Sequence, residues 1–193
     1  MINIDYLQPD FYRFNEDSLK LVRFVSSKNL ICKRAIDLCS GCGVIGIELA
    51  LKLPVQEIEL LELQPDFEYY LQQNVKLFIP DKKSQIIISS LRNFRSERKY
   101  DLIVANPPYY LPGHGQVSPN RQRHLCRTFA EDGWTQLLQF IADHLNENGN
   151  AFIVVKNQPE ILRHIRNHVT SYLLKIEESI EGDLCFLQLS LLV

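Results

Sequence analysis

Ala35-Ile36-Asp37-Leu38-Cys39-Ser40-Gly41-Cys42-Gly43-Val44-Ile45-Gly46 is the stretch that decides the fold class. Its first four residues read as the end of an apolar strand, and Gly43 to Lys52 reads as a helix. Val44, Ile47 and Leu51 share one helix face, and Pro54 stops it. Between strand and helix, Gly41, Gly43 and Gly46 satisfy G-x-G-x-x-G. Glycines there allow a tight turn and a close approach of backbone to a ligand.

The same alternation continues outward from this unit. Asp17, ahead of Leu19, Leu21, Val22 and Val25, is expected to cap a first helix within an N-terminal helical segment, 1–30. Glu57 to Leu63 reads as a strand. Pro65 opens a helix carrying Phe67, Leu71, Val75 and Phe78, which Pro80 ends. Ile86-Ile87-Ile88 is expected to be a buried strand, and Asp101 to Ala105 is another strand. Trp134, Leu137, Leu138, Ile141 and Leu145 keep helical spacing, with Asn148-Gly149-Asn150 as the expected helix stop and Ala151 to Val155 as the next strand. A helix over Ile161 to Val169 and a hairpin of Leu173 to Glu178 with Leu184 to Leu192, turning near Gly182, close the chain. Near-continuous apolar strands alternating with helices predict an α/β architecture, a mostly parallel sheet covered on both faces. The 193 residues fit one domain, 1–193.

Two places carry chemistry. The first is the glycine turn with Asp37 and Glu62. Glu62 ends the next strand, where an acid accepts the hydroxyls of a ribose. The glycines alone fit a nicotinamide dinucleotide as well as S-adenosylmethionine. A carboxylate at Asp37 would repel a pyrophosphate and favour a ligand carrying an ammonium and a sulfonium. The second place is Asn106-Pro107-Pro108-Tyr109, directly after a strand. Two prolines stiffen the turn and remove two backbone donors, leaving carbonyls as acceptors. The Asn106 side-chain oxygen and the Pro107 carbonyl would accept both hydrogens of one planar amino group, and Tyr109 would offer a face for a heterocycle or an amide.

Composition narrows the class. The 46% apolar and 23% charged fractions are ordinary for a soluble protein, and no apolar stretch is long enough to span a bilayer. The first ten residues do not read as a signal peptide, so a cytoplasmic location is expected. Five scattered cysteines do not suggest a disulfide framework. Cys39 and Cys42 have redox spacing but sit inside the glycine turn, and no second pair completes a zinc site, so no metal is expected. Net charge is −2, yet basic residues cluster locally, including Arg92, Arg95, Arg98 and Lys99, and Arg121, Arg123 and Arg127. Such patches hold phosphates or are simply solvated surface.

On these residues the chain resembles the class I methyltransferases, and within them the bacterial N6-adenine methyltransferases of valine tRNA. The likeness runs from about Phe11 to Lys156: Phe14 to Leu19, Asp37 to Ala50, Leu61 to Val75, and Asn106 to Tyr109 as catalytic signature. Gly113 to Asn120, followed by Arg127, is similar to the substrate segment of the RNA enzymes. The resemblance implies a Rossmann-like, seven-stranded sheet with a reversed last strand, and transfer of a methyl group from S-adenosylmethionine to an adenine amine in RNA, most simply tRNA. The expected cofactor contacts are Asp37, Cys39, Gly41, Gly43, Glu62, Leu63, Ser90, Leu91 and Asn106. Catalysis is expected at Asn106, Pro107, Pro108 and Tyr109, and RNA contacts at Tyr109, Arg121, Arg123 and Arg127. Two departures stand out: Ser89-Ser90-Leu91 lacks the acid that the family often has there, and Thr128-Phe129 replaces His-Glu. Methylation of a protein glutamine amide, as by release-factor methyltransferases, uses the same amine geometry. A non-catalytic cofactor-binding module and a nicotinamide oxidoreductase are the remaining alternatives.

Overall fold

The computed structural model describes residues 5–110 and 119–192. The elements follow in the order α1 (Glu16–Ser26), β1 (Arg34–Leu38), α2 (Val44–Lys52), β2 (Glu57–Glu62), α3 (Glu68–Phe78), β3 (Lys83–Ile88), β4 (Tyr100–Ala105), α4 (Arg121–Leu125), α5 (Gly133–His144), β5 (Leu145–Lys156), α6 (Pro159–Val169), β6 (Leu174–Glu181) and β7 (Leu184–Leu191). Seven strands form one sheet in the order β3-β2-β1-β4-β5-β7-β6. Neighbours from β3 to β5 pair in parallel, while β7 runs antiparallel to both β5 and β6.

Alternation along the central strands feeds two cores. Ala35, Leu102 and Val104 face the side packed by Leu21 and Val25 of α1, Ile47 and Leu49 of α2 and Leu71 of α3. Ile36, Leu38, Ile103 and Ala105 face Trp134, Leu137 and Ile141 of α5 and Ile161 and Ile165 of α6. The period of two in a strand puts successive side chains on opposite faces, so strands covered on both sides carry unbroken apolar runs. The α1 helix is tied down by Phe24, which stacks on Phe186 of β7 at 4.8 Å between ring centres.

Three local expectations need correction. Asn15, not Asp17, holds the position before α1, and Asp17 lies buried in the first turn. Its Oδ2 is engaged instead by the Asn15 side-chain amide at 2.9 Å and the Lys156 ammonium at 3.1 Å. The isoleucines of β3 are only half-buried, because β3 pairs with β2 alone and forms a sheet edge. Asn148-Gly149-Asn150 does not stop a helix: α5 ends at His144 and β5 runs through these residues. The β4–β5 register shifts there, with Tyr100 opposite Leu145 and Leu102 opposite Asn150. A Cβ on Gly149 would lie 2.9 Å from the Tyr100 carbonyl oxygen, so a glycine fits where the two backbones meet.

Gly46 is the equivalent close approach between α2 and the sheet. A Cβ there would stand 2.5 Å from Leu60 Cδ2 and 3.0 Å from Asp37 Cβ, both in the core. Gly46→Ala is expected to lower unfolding free energy by about 1–3 kcal/mol through overpacking, read from urea unfolding midpoints.

Candidate active site

The carboxyl ends of β1, β2 and β4 meet at the glycine turn. After Leu38 the backbone enters the left-handed region at Cys39, φ 56°, again at Gly41, φ 56°, and at Gly43, φ 86°, which caps α2. Gly41 and Gly43 adopt these angles without the Cβ penalty, whereas Cys39 holds one at a cost of order 1–3 kcal/mol. Strain of that kind persists only where surrounding contacts fix it.

Two buried carboxylates supply those contacts. Asp37 Oδ2 accepts the Gly46 N–H at 2.9 Å. Glu62 Oε2 accepts the Gly41 N–H at 2.8 Å and its Oε1 accepts the Gln64 N–H at 2.9 Å. Burial pushes the Asp37 carboxyl up to about 8 against the pull of the Gly46 bond, with Glu62 adding to the rise. Burial also raises Glu62, opposed by its backbone donors. The thiols in the turn are inert: burial raises Cys39, and it pushes Cys42 up to about 12, so neither is a thiolate near neutrality.

A cavity of about 340 Å³ opens against this turn. Cys39, Gly41, Glu62 and Leu63 form one wall, Ser90 and Leu91 a second, and Asn106 and Pro108 a third. Asp37 and Gly43 are the expected cofactor contacts that do not line it. Asp37 is wholly buried beneath the turn and straps β1 to α2, so its position close to Gly41 in sequence does not carry it to the cavity surface. Ser90 closes its own turn, its Oγ accepting the Asn93 N–H at 3.1 Å.

The far side of the cavity is built by residues that sequence reading missed: Tyr12, Phe67, Cys126, Phe129 and Gly133. Their contributions depend on long-range packing, as where the Tyr12 ring stands edge-on to Phe67 at 5.2 Å between centres. No local pattern announces such contacts.

The signature after β4 divides. Asn106 and Pro108 line the cavity, while Pro107 is buried and Tyr109 lies off the wall. The Tyr109 hydroxyl is 2.6 Å from Asn106 Oδ1 and 3.2 Å from Asp17 Oδ2. Its ring sits under the Lys156 ammonium, 5.7 Å from the ring centre. The expected open stacking face is therefore turned to the protein's own polar groups. Arg121, Arg123 and Arg127 are exposed and do not line the cavity, whereas His124, Leu125 and Cys126 beside them do. Arg123 Nε donates to the Phe11 carbonyl at 3.3 Å. Residues 113–118, read above as part of the substrate segment, lie outside the described residues. Among the described residues no group of three or more His, Cys, Asp or Glu is placed to hold a metal ion, and no helix is long and apolar enough to cross a membrane.

The strand order, the reversed seventh strand and the cavity over β1, β2 and β4 define the Rossmann-like fold of class I methyltransferases. The chain belongs to the methyltransferase small domain family, which matches residues 16–179. Among known proteins it is similar to the tRNA1(Val) (adenine(37)-N6)-methyltransferase of Glaesserella parasuis, at 30% identity over 66% of this chain, and to that of Tolumonas auensis, at 32% over 64%. The matched stretches span about half of those relatives, 53% and 51% of their lengths. Its fold is that of a candidate RNA methyltransferase of Pyrococcus horikoshii, with a TM-score of 0.71, 16% identity and coverage of 97% of this chain and 92% of that one. An S-adenosylmethionine-dependent methyltransferase of Clostridium acetobutylicum aligns with a TM-score of 0.63, 10% identity and coverage of 98% and 93%.

The Asp37 carboxyl sets a pH dependence. In the unfolded chain it ionises in the ordinary carboxylate range, while the folded protein holds its proton to about 8. Between those values the unfolded state binds fewer protons, so stability falls as pH rises, by up to about 1.4 kcal/mol per pH unit from this group. Asp37→Asn keeps an acceptor for Gly46 and removes this contribution. Urea unfolding at several pH values between 5 and 8 should show the variant gaining on the wild type as pH rises.

Proposed function

We propose that this protein transfers a methyl group from S-adenosylmethionine to the exocyclic N6 amine of an adenine in RNA, with tRNA in the cytoplasm as the substrate class. The observation that carries the reading is the sharing of one cavity by Glu62 and Asn106, at the carboxyl ends of β2 and β4 on either side of β1. The names of the relatives, at 30% and 32% identity, support the choice of substrate.

The residues present fit the cofactor. The volume of about 340 Å³ lies within the range of small-molecule sites, roughly 300–1,000 Å³. Glu62 borders it as a buried carboxyl group that accepts the Gly41 and Gln64 N–H groups and keeps acceptor capacity for ribose hydroxyls. Leu63 and Leu91 give apolar walls for a flat base. The Glu62 carboxylate at the cavity wall disfavours a pyrophosphate there. When bound, S-adenosylmethionine supplies an activated methyl group whose leaving group is a neutral thioether.

The chain's own work is then to orient the amine. Asn106 Oδ1, at the cavity wall, accepts one of its hydrogens, which directs the nitrogen lone pair towards the glycine turn. No strong base is needed, because the proton leaves after transfer, when the nitrogen is cationic. Fixed geometry supplies most of the acceleration. Arg121, Arg123 and Arg127, exposed beside the cavity, hold RNA phosphates.

Incubating the protein with methyl-labelled S-adenosylmethionine and unmodified tRNA, then analysing nucleosides by mass spectrometry, should yield N6-methyladenosine. Transfer to a release factor with none to RNA would contradict the reading. Asn106→Ala is expected to lower kcat by at least about 100-fold, as when a positioned polar group that stabilises a transition state is removed. If the three arginines each neutralise one phosphate, doubling salt should weaken tRNA binding about fivefold, and an Arg121→Ala, Arg123→Ala, Arg127→Ala triple variant should lose that dependence in filter-binding assays.

A further inference from the structure

The Asn106 side chain is held at both ends by groups outside the cavity wall. Its Nδ2 donates to Ser18 Oγ at 3.0 Å, and its Oδ1 accepts the Tyr109 hydroxyl at 2.6 Å. Ser18 belongs to α1, is 3% exposed, and stands far away in sequence. Residues of the first helix thus reach behind the turn that follows β4.

The sense of this arrangement matters, because an amide has one end that accepts and one that donates. Exchanging the two would point N–H groups at an incoming amine. Ser18 and Tyr109 carry hydroxyls that donate or accept, so neither alone fixes the orientation. A third group decides. Asp17 Oδ2 lies 3.2 Å from the Tyr109 hydroxyl and competes for its one proton. That carboxylate oxygen is already engaged by Asn15 Nδ2 at 2.9 Å and by the Lys156 ammonium at 3.1 Å. Lys156 is itself braced by Asp183 at 3.0 Å, from the turn between β6 and β7. Asn106 Oδ1, at 2.6 Å against 3.2 Å for Asp17 Oδ2, is the nearer acceptor and takes the Tyr109 proton. Burial, and after it the charge of Asp17, raise the phenol, so the proton stays on Tyr109 at ordinary pH.

We propose that Ser18 is a positioning residue that, with the Tyr109 hydroxyl and the Asp17–Lys156 pair behind it, locks the Asn106 amide with its oxygen available to the substrate amine. This rests on the reading that Asn106 receives an amine, and it adds a role for α1 in setting turnover.

Ser18→Ala and the nearly isosteric Ser18→Cys remove the acceptor, while Ser18→Thr keeps it. The first two are expected to lower kcat on tRNA at least tenfold, with KM for tRNA and affinity for the cofactor within twofold of wild type. Ser18→Thr should stay within threefold of wild-type kcat. A second readout needs no substrate: the Asn106 side-chain amide resonances in nitrogen-15-labelled protein, assigned by their loss in Asn106→Asp, should shift and exchange faster with solvent in the Ala and Cys variants. Unchanged kcat together with unmoved Asn106 resonances would overturn the proposal, as would a fall in kcat that merely tracks a fall in melting temperature. If the wild type methylates no RNA yet the resonances respond as expected, the locking of Asn106 stands and the substrate reading fails.

Discussion

The bond from the Gly41 N–H to the buried Glu62 carboxylate joins the turn after β1 to the end of β2. Its counterpart, the Gly46 N–H on Asp37, joins the start of α2 to β1. Together these two carboxylates hold a backbone that leaves the common conformational regions at Cys39, Gly41 and Gly43. A buried carboxyl group is costly unless it is hydrogen-bonded. Here the donors are backbone N–H groups that the turn itself would otherwise leave unpaired. Asp37 and Glu62 therefore shape the loop, and only Glu62 also borders the cavity.

The position of Asn106 depends on the same sheet. Pairing of Leu38 with Ala105 brings the ends of β1 and β4 level, so the glycine turn and the Asn-Pro-Pro-Tyr turn face one space. The first helix then closes the arrangement from behind, through Ser18 and Asp17, and is itself anchored on β7 by Phe24. Parallel sheets open their ligand clefts at the carboxyl ends of strands, where loops are free to diverge. This protein uses two such loops with opposite character. One is flexible in its glycines and rigidified by acids, and the other is stiff in its prolines.

Much of this was legible in the chain. The strand-turn-helix unit at Ala35 to Lys52 could be read because Gly41 and Gly43 take backbone angles that glycine adopts easily and Gly46 permits close packing. The position of Glu62 could be read because parallel strands end together. Where reading failed, tertiary contacts overrode a local signal. Asn148-Gly149-Asn150 has helix-stop chemistry, but Gly149 is there for close passage against Tyr100. Asp17 resembles a helix cap, but Lys156 and the Asn15 side-chain amide claim its carboxylate. Tyr12 carries no sequence pattern that marks it, since it reaches the cavity only through packing.

In the proposed function one cavity would hold the nucleoside part of the cofactor at Glu62 and point its reactive end to Asn106. A crystal structure with S-adenosylhomocysteine tests it most directly. The account predicts both ribose hydroxyls on the Glu62 carboxylate, the base between Leu63 and Leu91, and the sulfur facing the Asn106 amide. A nucleoside bound elsewhere, or a sulfur turned away from residues 106–109, would contradict it.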